Sequence, residues 1–180
     1  MKKVVHIKDK DFEHFIDFQE IQESIKRIAI QIDNDLAGEN PIFLAVLNGA
    51  FMFAGELMKE VSIPCEITFV RLASYHGTTS SERVQEVLGL NESIENRTVI
   101  IVEDIVDSGN TMVSLTEQLQ RYNPKEIRIA TLLLKPDALK RDIKLDYVAL
   151  EIPNDFIVGY GLDYDGYGRN LKDIYKIKAN

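Results

Sequence analysis

Val99-Ile100-Ile101-Val102-Glu103-Asp104-Ile105-Val106-Asp107-Ser108-Gly109-Asn110-Thr111 is the stretch around which the chain is organised. Its first four residues are all β-branched, an apolar run of the length and kind that forms a strand buried on both faces. The run ends in two adjacent carboxylates, Glu103 and Asp104, and a third, Asp107, follows. Ser108 to Thr111 then lead into a segment where Val113, Leu115, Leu119 and Tyr122 recur at helical spacing, until Asn123-Pro124 stops it. A strand, an acidic rim and a small-residue loop opening a helix are expected in that order. Such a loop turns backbone N–H groups onto a phosphate, and the helix N-terminus adds its positive dipole end. The carboxylates stand where hydroxyls or a hydrated divalent cation would meet the same ligand. A sugar bearing a phosphate satisfies both halves.

Working outward, residues 42–47 form a second apolar strand run, followed by Asn48-Gly49-Ala50 and a helix over 51–59. This again puts a small loop at the carboxyl end of a strand, where open α/β sheets hold ligands. Upstream lie a short strand over 4–7 and an amphipathic helix with Ile21, Ile25, Ile28, Ile32 and Leu36 on one face, ended by Gly38 and Pro41. Residues 66–72 alternate as a strand. Residues 73–81 are small and polar and read as a surface loop, with a strand over 84–88 beyond it. Downstream, an apolar strand over 127–134 delivers Lys135-Pro136, and further strands are expected over 147–152 and 174–177. Between those last two, residues 156–164 are rich in aromatics and glycine, and Arg169-Asn170-Leu171 follows. Strands alternating with helices imply an α/β fold, a parallel sheet flanked by helices, with the less regular ends forming a smaller hood.

The length of 180 residues suits one domain spanning 1–180. A hydrophobic share of 45% and a charged share of 28% are those of a soluble globular chain. No apolar run reaches the length of a membrane span. Asp9, Asp11 and Glu13 come too early for a leader core, and the single cysteine, Cys65, precludes an intrachain disulfide. A cytoplasmic protein with no membrane partner is expected. Lys plus Arg number 21 against 29 Asp plus Glu, a net charge of −8 that argues against a broad nucleic-acid surface.

Alone, Asp-Ser-Gly would be an ordinary βα turn. The thirteen-residue pattern over 99–111, however, resembles the phosphoribosyl-diphosphate-binding signature of the type I phosphoribosyltransferases. The resemblance runs from the Asn48 loop to Arg169. Ser74-Tyr75, Leu134-Lys135-Pro136 and residues 156–163 make it most similar to the bacterial hypoxanthine (hypoxanthine-guanine) branch, rather than the orotate, uracil or adenine branches. That implies the family's fold, with a small hood and a mobile lid loop. It also implies transfer of the 5-phosphoribosyl group from phosphoribosyl diphosphate to a 6-oxopurine, with Mg²⁺ as cofactor.

The resemblance further implies residue roles. Glu103 and Asp104 would hold the ribose hydroxyls, directly or through Mg²⁺, and Ser108, Gly109, Asn110 and Thr111 would cradle the 5′-phosphate. Asp107 would take the proton at purine N7. Asn48 and Gly49 would present a backbone N–H to the diphosphate beside a strained, often cis, peptide. Asn48 stands where other members carry Lys or Arg, so a side-chain charge contact is not expected from it. Ser108 stands where Thr is common and keeps the hydroxyl. Ser74 and Tyr75 would close as the lid, Lys135 would donate to the 6-oxo group, and Phe156 would stack on the base. Ile157 and Asp163 would line the base edge with carbonyls. Arg169 would pair with the leaving pyrophosphate, and the Asp163 side chain would help hold a second Mg²⁺. Relatives are dimers or tetramers, so a homodimer or homotetramer is expected. The alternatives are a regulatory relative that binds phosphoribosyl diphosphate without catalysis and a dinucleotide-binding domain. The first would show a basic face or an added DNA-binding segment, and the second a Gly-x-Gly-x-x-Gly after the first strand. No Lys/Arg cluster is large enough to suggest the basic face, and the N-terminal stretch is too short for the DNA-binding segment. The glycine pattern is missing after the first strand, so neither alternative is expected.

Overall fold

The computed structural model describes residues 3–76 and 83–178, with 73–76 and 83–88 described in backbone only. In chain order the elements are β1 (Val4–Ile7), β2 (Lys10–Ile16), α1 (Phe18–Asp35), β3 (Ile42–Leu47), α2 (Phe51–Glu60), β4 (Glu66–His76), β5 (Arg83–Leu88), β6 (Thr98–Val106), α3 (Asn110–Gln120), β7 (Glu126–Leu134), β8 (Tyr147–Glu151), β9 (Ile157–Val158) and β10 (Ile174–Ile177).

The main sheet has the order β5-β4-β3-β6-β7-β8. Its strands β4, β3, β6, β7 and β8 run parallel, and β5 pairs antiparallel with β4 at the edge. The centre of the sheet is covered on both faces, which is why the runs in β3 and β6 are apolar without alternation. On one face Phe43, Ala45, Ile100 and Val102 pack against Ile21, Ile25, Ile28 and Ile32 of α1 and Phe53 and Leu57 of α2. On the other, Leu44, Val46, Val99 and Ile101 pack against Met112, Leu115 and Leu119 of α3.

Several boundaries differ from expectation. The strand β6 continues through Glu103 and Asp104 to Val106, because Glu103, Ile105 and Val106 keep their pairing with Thr131, Leu133 and Leu134. The acidic pair therefore sits inside the strand, not after it. The helix α3 ends at Gln120, leaving Tyr122 outside and exposed. Residues 73–76, expected in a loop, are the end of β4, held by pairing with β5; the rest of that expected loop, 77–81, lies outside the described residues.

The hood is a second sheet, β1-β2-β10-β9, antiparallel throughout. Its strand β2 was masked by charge: Lys10, Asp11 and Glu13 interrupt the apolar pattern, yet Phe12 and Ile16 are buried. At the next boundary Asp17 caps α1, its Oδ1 accepting from the Glu20 N–H at 3.0 Å. That moves the start of the helix a turn ahead of its first buried isoleucine. Residues 159–173 connect β9 to β10 within the hood and carry the Gly- and Tyr-rich segment against the loop after β3. There Gly161 touches the loop after β3: a Cβ on it would stand 2.1 Å from the Gly49 carbonyl oxygen.

Candidate active site

All the predicted site residues whose side chains are described come from the carboxyl rim of the main sheet or from the hood segment above it. Residues 107–109 pass from β6 into α3. A cavity of about 90 Å³ there is lined by Glu103, Asp107, Ser108, Gly109 and Thr111 among others, a size suited to a phosphate group. The loop is braced from behind. The Ser108 carbonyl accepts from the Lys140 N–H at 3.1 Å, and Gly109 packs against Leu139 and Arg141. Arg141 Nε also donates to Asn110 Oδ1 at 2.7 Å. Sequence reasoning missed Arg141, which lies in an irregular segment without periodicity or motif.

The carboxylates stand in unlike environments. Burial, reinforced by the neighbouring Asp104, holds Glu103 well above the ordinary carboxylate range, and its Oε2 is buried without a hydrogen-bond partner. Burial also raises Asp104, partly offset by hydrogen bonds from Glu103 and from the Ile105 N–H at 2.9 Å and by the charge of Arg169. Two half-buried acids side by side, one with an orphaned oxygen, are prepared for a ligand that brings donors or positive charge. Asp107 by contrast is exposed, with Lys135 Nζ 3.7 Å from its Oδ2. Lys135 itself is only 8% exposed. Its backbone N–H bonds the Val106 carbonyl at 3.0 Å, so β7 delivers the ammonium directly beside the end of β6.

Across the rim, the Leu47–Asn48 peptide is cis, as the resemblance implied. Above it, Arg169 donates to the Gly161 carbonyl at 2.7 Å and pairs with Asp163 at 2.7 Å. The second Asp163 oxygen accepts from the Gly166 N–H at 2.6 Å. Phe156 is 47% exposed, edge-on to Tyr164 at 5.9 Å between centroids, while Ile157 is buried in β9. For Ser74 and Tyr75 the backbone lies in the antiparallel pairing of β4 with β5. Two larger cavities, about 330 Å³ beside α3 and about 700 Å³ in the hood, contain none of the predicted site residues.

Among the described residues no three His, Cys, Asp or Glu side chains come close enough to cage a metal. The orphaned Glu103 oxygen beside Asp104 does fit a magnesium ion that keeps its waters and takes its other oxygens from a substrate.

A family profile for the phosphoribosyl transferase domain matches residues 15–165, which sets the class of the fold and of this rim. The hypoxanthine-guanine phosphoribosyltransferase of Streptococcus mutans is 42% identical over 163 residues, covering 90% of this chain and 91% of its own. The crystal structure of a hypoxanthine phosphoribosyltransferase from Staphylococcus aureus superposes with a TM-score of 0.82 at 37% identity, covering 92% of this chain and 91% of its own. A hypoxanthine-guanine phosphoribosyltransferase structure from Bacillus anthracis gives 0.83 at 35% identity, covering 96% and 100%. The chain belongs to the hypoxanthine-guanine phosphoribosyltransferase family.

Proposed function

We propose that this enzyme of purine salvage transfers the 5-phosphoribosyl group of phosphoribosyl diphosphate to N9 of hypoxanthine, and of guanine, releasing IMP or GMP and pyrophosphate. The observation that carries the reading is the pair Lys135–Asp107, 3.7 Å apart beside the phosphate loop. It joins a donor for a 6-oxo group to an acceptor for a base proton. N9 attacks the anomeric carbon as the bond to the diphosphate oxygen breaks, and Asp107 accepts the N7 proton. Lys135 donates to the 6-oxo group, which favours 6-oxopurines over adenine. Phe156 stacks on the base, and Ile157 and Asp163 line its edge with carbonyls. Ser108, Gly109, Asn110 and Thr111 hold the 5′-phosphate, Glu103 and Asp104 the ribose hydroxyls, and Asn48, Gly49 and Arg169 the diphosphate. Ser74 and Tyr75 close over it to exclude water.

Magnesium held by Glu103 and Asp104, and a second magnesium held with help from the Asp163 side chain, would neutralise charge on the diphosphate. Asp163 would give up its Arg169 pair to take that role. The enzyme acts in the cytoplasm as a homodimer or homotetramer. Exposed Ile67 and Phe69 on one face of β4, at 36% and 45%, and Phe51 at 44% support contact between copies. Among the described residues no helix is long and apolar enough to cross a membrane. A regulatory relative without turnover would have no use for the Lys135–Asp107 pair, which favours the enzyme.

Steady-state rates with phosphoribosyl diphosphate and Mg²⁺ against hypoxanthine, guanine, xanthine and adenine test the reading, with Asp107→Asn alongside. Turnover of hypoxanthine and guanine, little with adenine, and a kcat loss of about 10²–10⁴ in Asp107→Asn are expected. Tight phosphoribosyl diphosphate binding with no turnover of any base would favour the regulatory relative.

A further inference from the structure

Three of the cations around the rim are engaged: Lys135 with Asp107, Arg169 with Asp163 and Arg141 with the Asn110 carboxamide. Arg71 has no part in any of these contacts. It pairs in register with Leu47, the last residue of β3, so it flanks the loop that begins at Asn48. Its side chain is exposed, and its Nη2 donates to Asn48 Oδ1 at 2.9 Å. Among the residues whose side chains are described, no carboxylate pairs with it.

The contact has a chemical consequence. A guanidinium carries only donors, so the Asn48 atom that faces it must be the carbonyl oxygen, which turns the two Nδ2 hydrogens away from Arg71. Most of the guanidinium's own N–H groups also remain available. The pair thus offers several donors and one uncompensated positive charge at the mouth of the Asn48-Gly49 loop. The rest of the rim is crowded with acids: Glu103, Asp104, Asp107 and Asp163. A polyanion approaching that rim needs cations not already spent on carboxylates.

We propose that Arg71 and Asn48 together bind the outer part of the diphosphate, Arg71 supplying the charge and Asn48 an amide whose orientation Arg71 sets. This rests on the phosphoribosyl-transfer reading. It assigns to β4 the charge that the loop itself lacks.

The test is Arg71→Gln, with Arg71→Lys and the double variant Arg71→Gln/Asn48→Lys. Arg71→Gln is expected to raise KM for phosphoribosyl diphosphate, and KM for pyrophosphate in the reverse reaction, by about tenfold, the size of one lost charge-assisted hydrogen bond. The KM values for hypoxanthine and IMP stay near those of the unmodified enzyme. Arg71→Lys recovers part of the loss, and moving the cation to position 48 in the double variant recovers more. Unchanged KM values for both anions overturn the proposal. So does an equal loss for all four substrates with a fall in Tm that neither lysine variant repairs. Calorimetric titration with pyrophosphate gives the same comparison without turnover. Weaker binding to Arg71→Gln there supports the pair even if the transfer reaction itself failed.

Discussion

The Asp104 carboxylate occupies the space that a side chain at position 49 would need. A Cβ on Gly49 would stand 1.5 Å from Asp104 Oδ2 and 2.4 Å from its Cγ. Gly161 continues the stack from above, against the Gly49 carbonyl oxygen. The hood segment meets the loop after β3 backbone to backbone, and the Asp104 side chain of β6 closes on the same loop from the other side. Shifts in any of the three reach the carboxylates.

Gly49→Ala accordingly displaces either Asp104 or the loop by more than an ångström. A drop in kcat/KM for phosphoribosyl diphosphate of roughly 10²-fold is expected, the scale of a misplacement of that size. Steady-state kinetics with circular dichroism as a check on folding measures it. Near-normal kinetics would mean that the loop relaxes without moving the acid.

Lys135→Gln removes the buried ammonium beside Asp107 while keeping a donor. The expected result is a fall in kcat/KM for hypoxanthine of about 10–100-fold, as for loss of a hydrogen bond from a charged group. Discrimination against adenine should narrow at the same time. Parallel kinetics with the two bases reads both effects, and an unchanged hypoxanthine-to-adenine ratio would remove Lys135 from base selection.

Glu103 sets a pH dependence whose sign follows from its burial. Its carboxyl, like that of Asp104, is raised in the folded protein. Each group's contribution to stability is full below its unfolded pKa and is lost as pH rises through its folded value. Glu103→Gln cannot ionise, so the variant should melt above the unmodified protein near neutral pH, with the gap closing on the acid side. Melting curves across that range test it; parallel Tm profiles would show that folding does not raise the Glu103 carboxyl. Binding of phosphoribosyl diphosphate with Mg²⁺ should weaken on the same acid side, where Glu103 gains its proton.

Chelation separates a catalytic from a structural cation. With no three-ligand cluster among the described residues, EDTA should stop turnover without lowering the Tm of the ligand-free protein. Added Mg²⁺ should restore the rate. A Tm that falls on chelation would reveal a structural metal instead.

Much of this was legible in the chain because it depends on local order. The apolar runs of β3, β6 and β7 show their burial directly, and each ends in the small or charged residues that the rim requires. The helix α1 was equally plain from its isoleucine spacing, though its cap at Asp17 lay beyond the apolar pattern. The strand β2 was not legible, since charges on its solvent side break the alternation that marks a strand. The end of β6 was misjudged for a related reason. Acidic residues read as a rim when a neighbouring strand still pairs with them.

The sequence by itself determined the strand–loop–helix order, the positions of Glu103, Asp104, Asp107, Lys135 and Arg169, and the family they resemble. These are properties of adjacent residues, set by period, apolar runs and turn chemistry. Only the tertiary structure decided that Lys135 is buried against Asp107, that Asp104 fills the space above Gly49, and that Arg71 and Arg141 reach the carboxamides of Asn48 and Asn110. Each of those joins residues 23 to 55 positions apart, on different strands and loops. Their meeting depends on which strands lie side by side in the sheet, and that order is chosen by packing of the whole core.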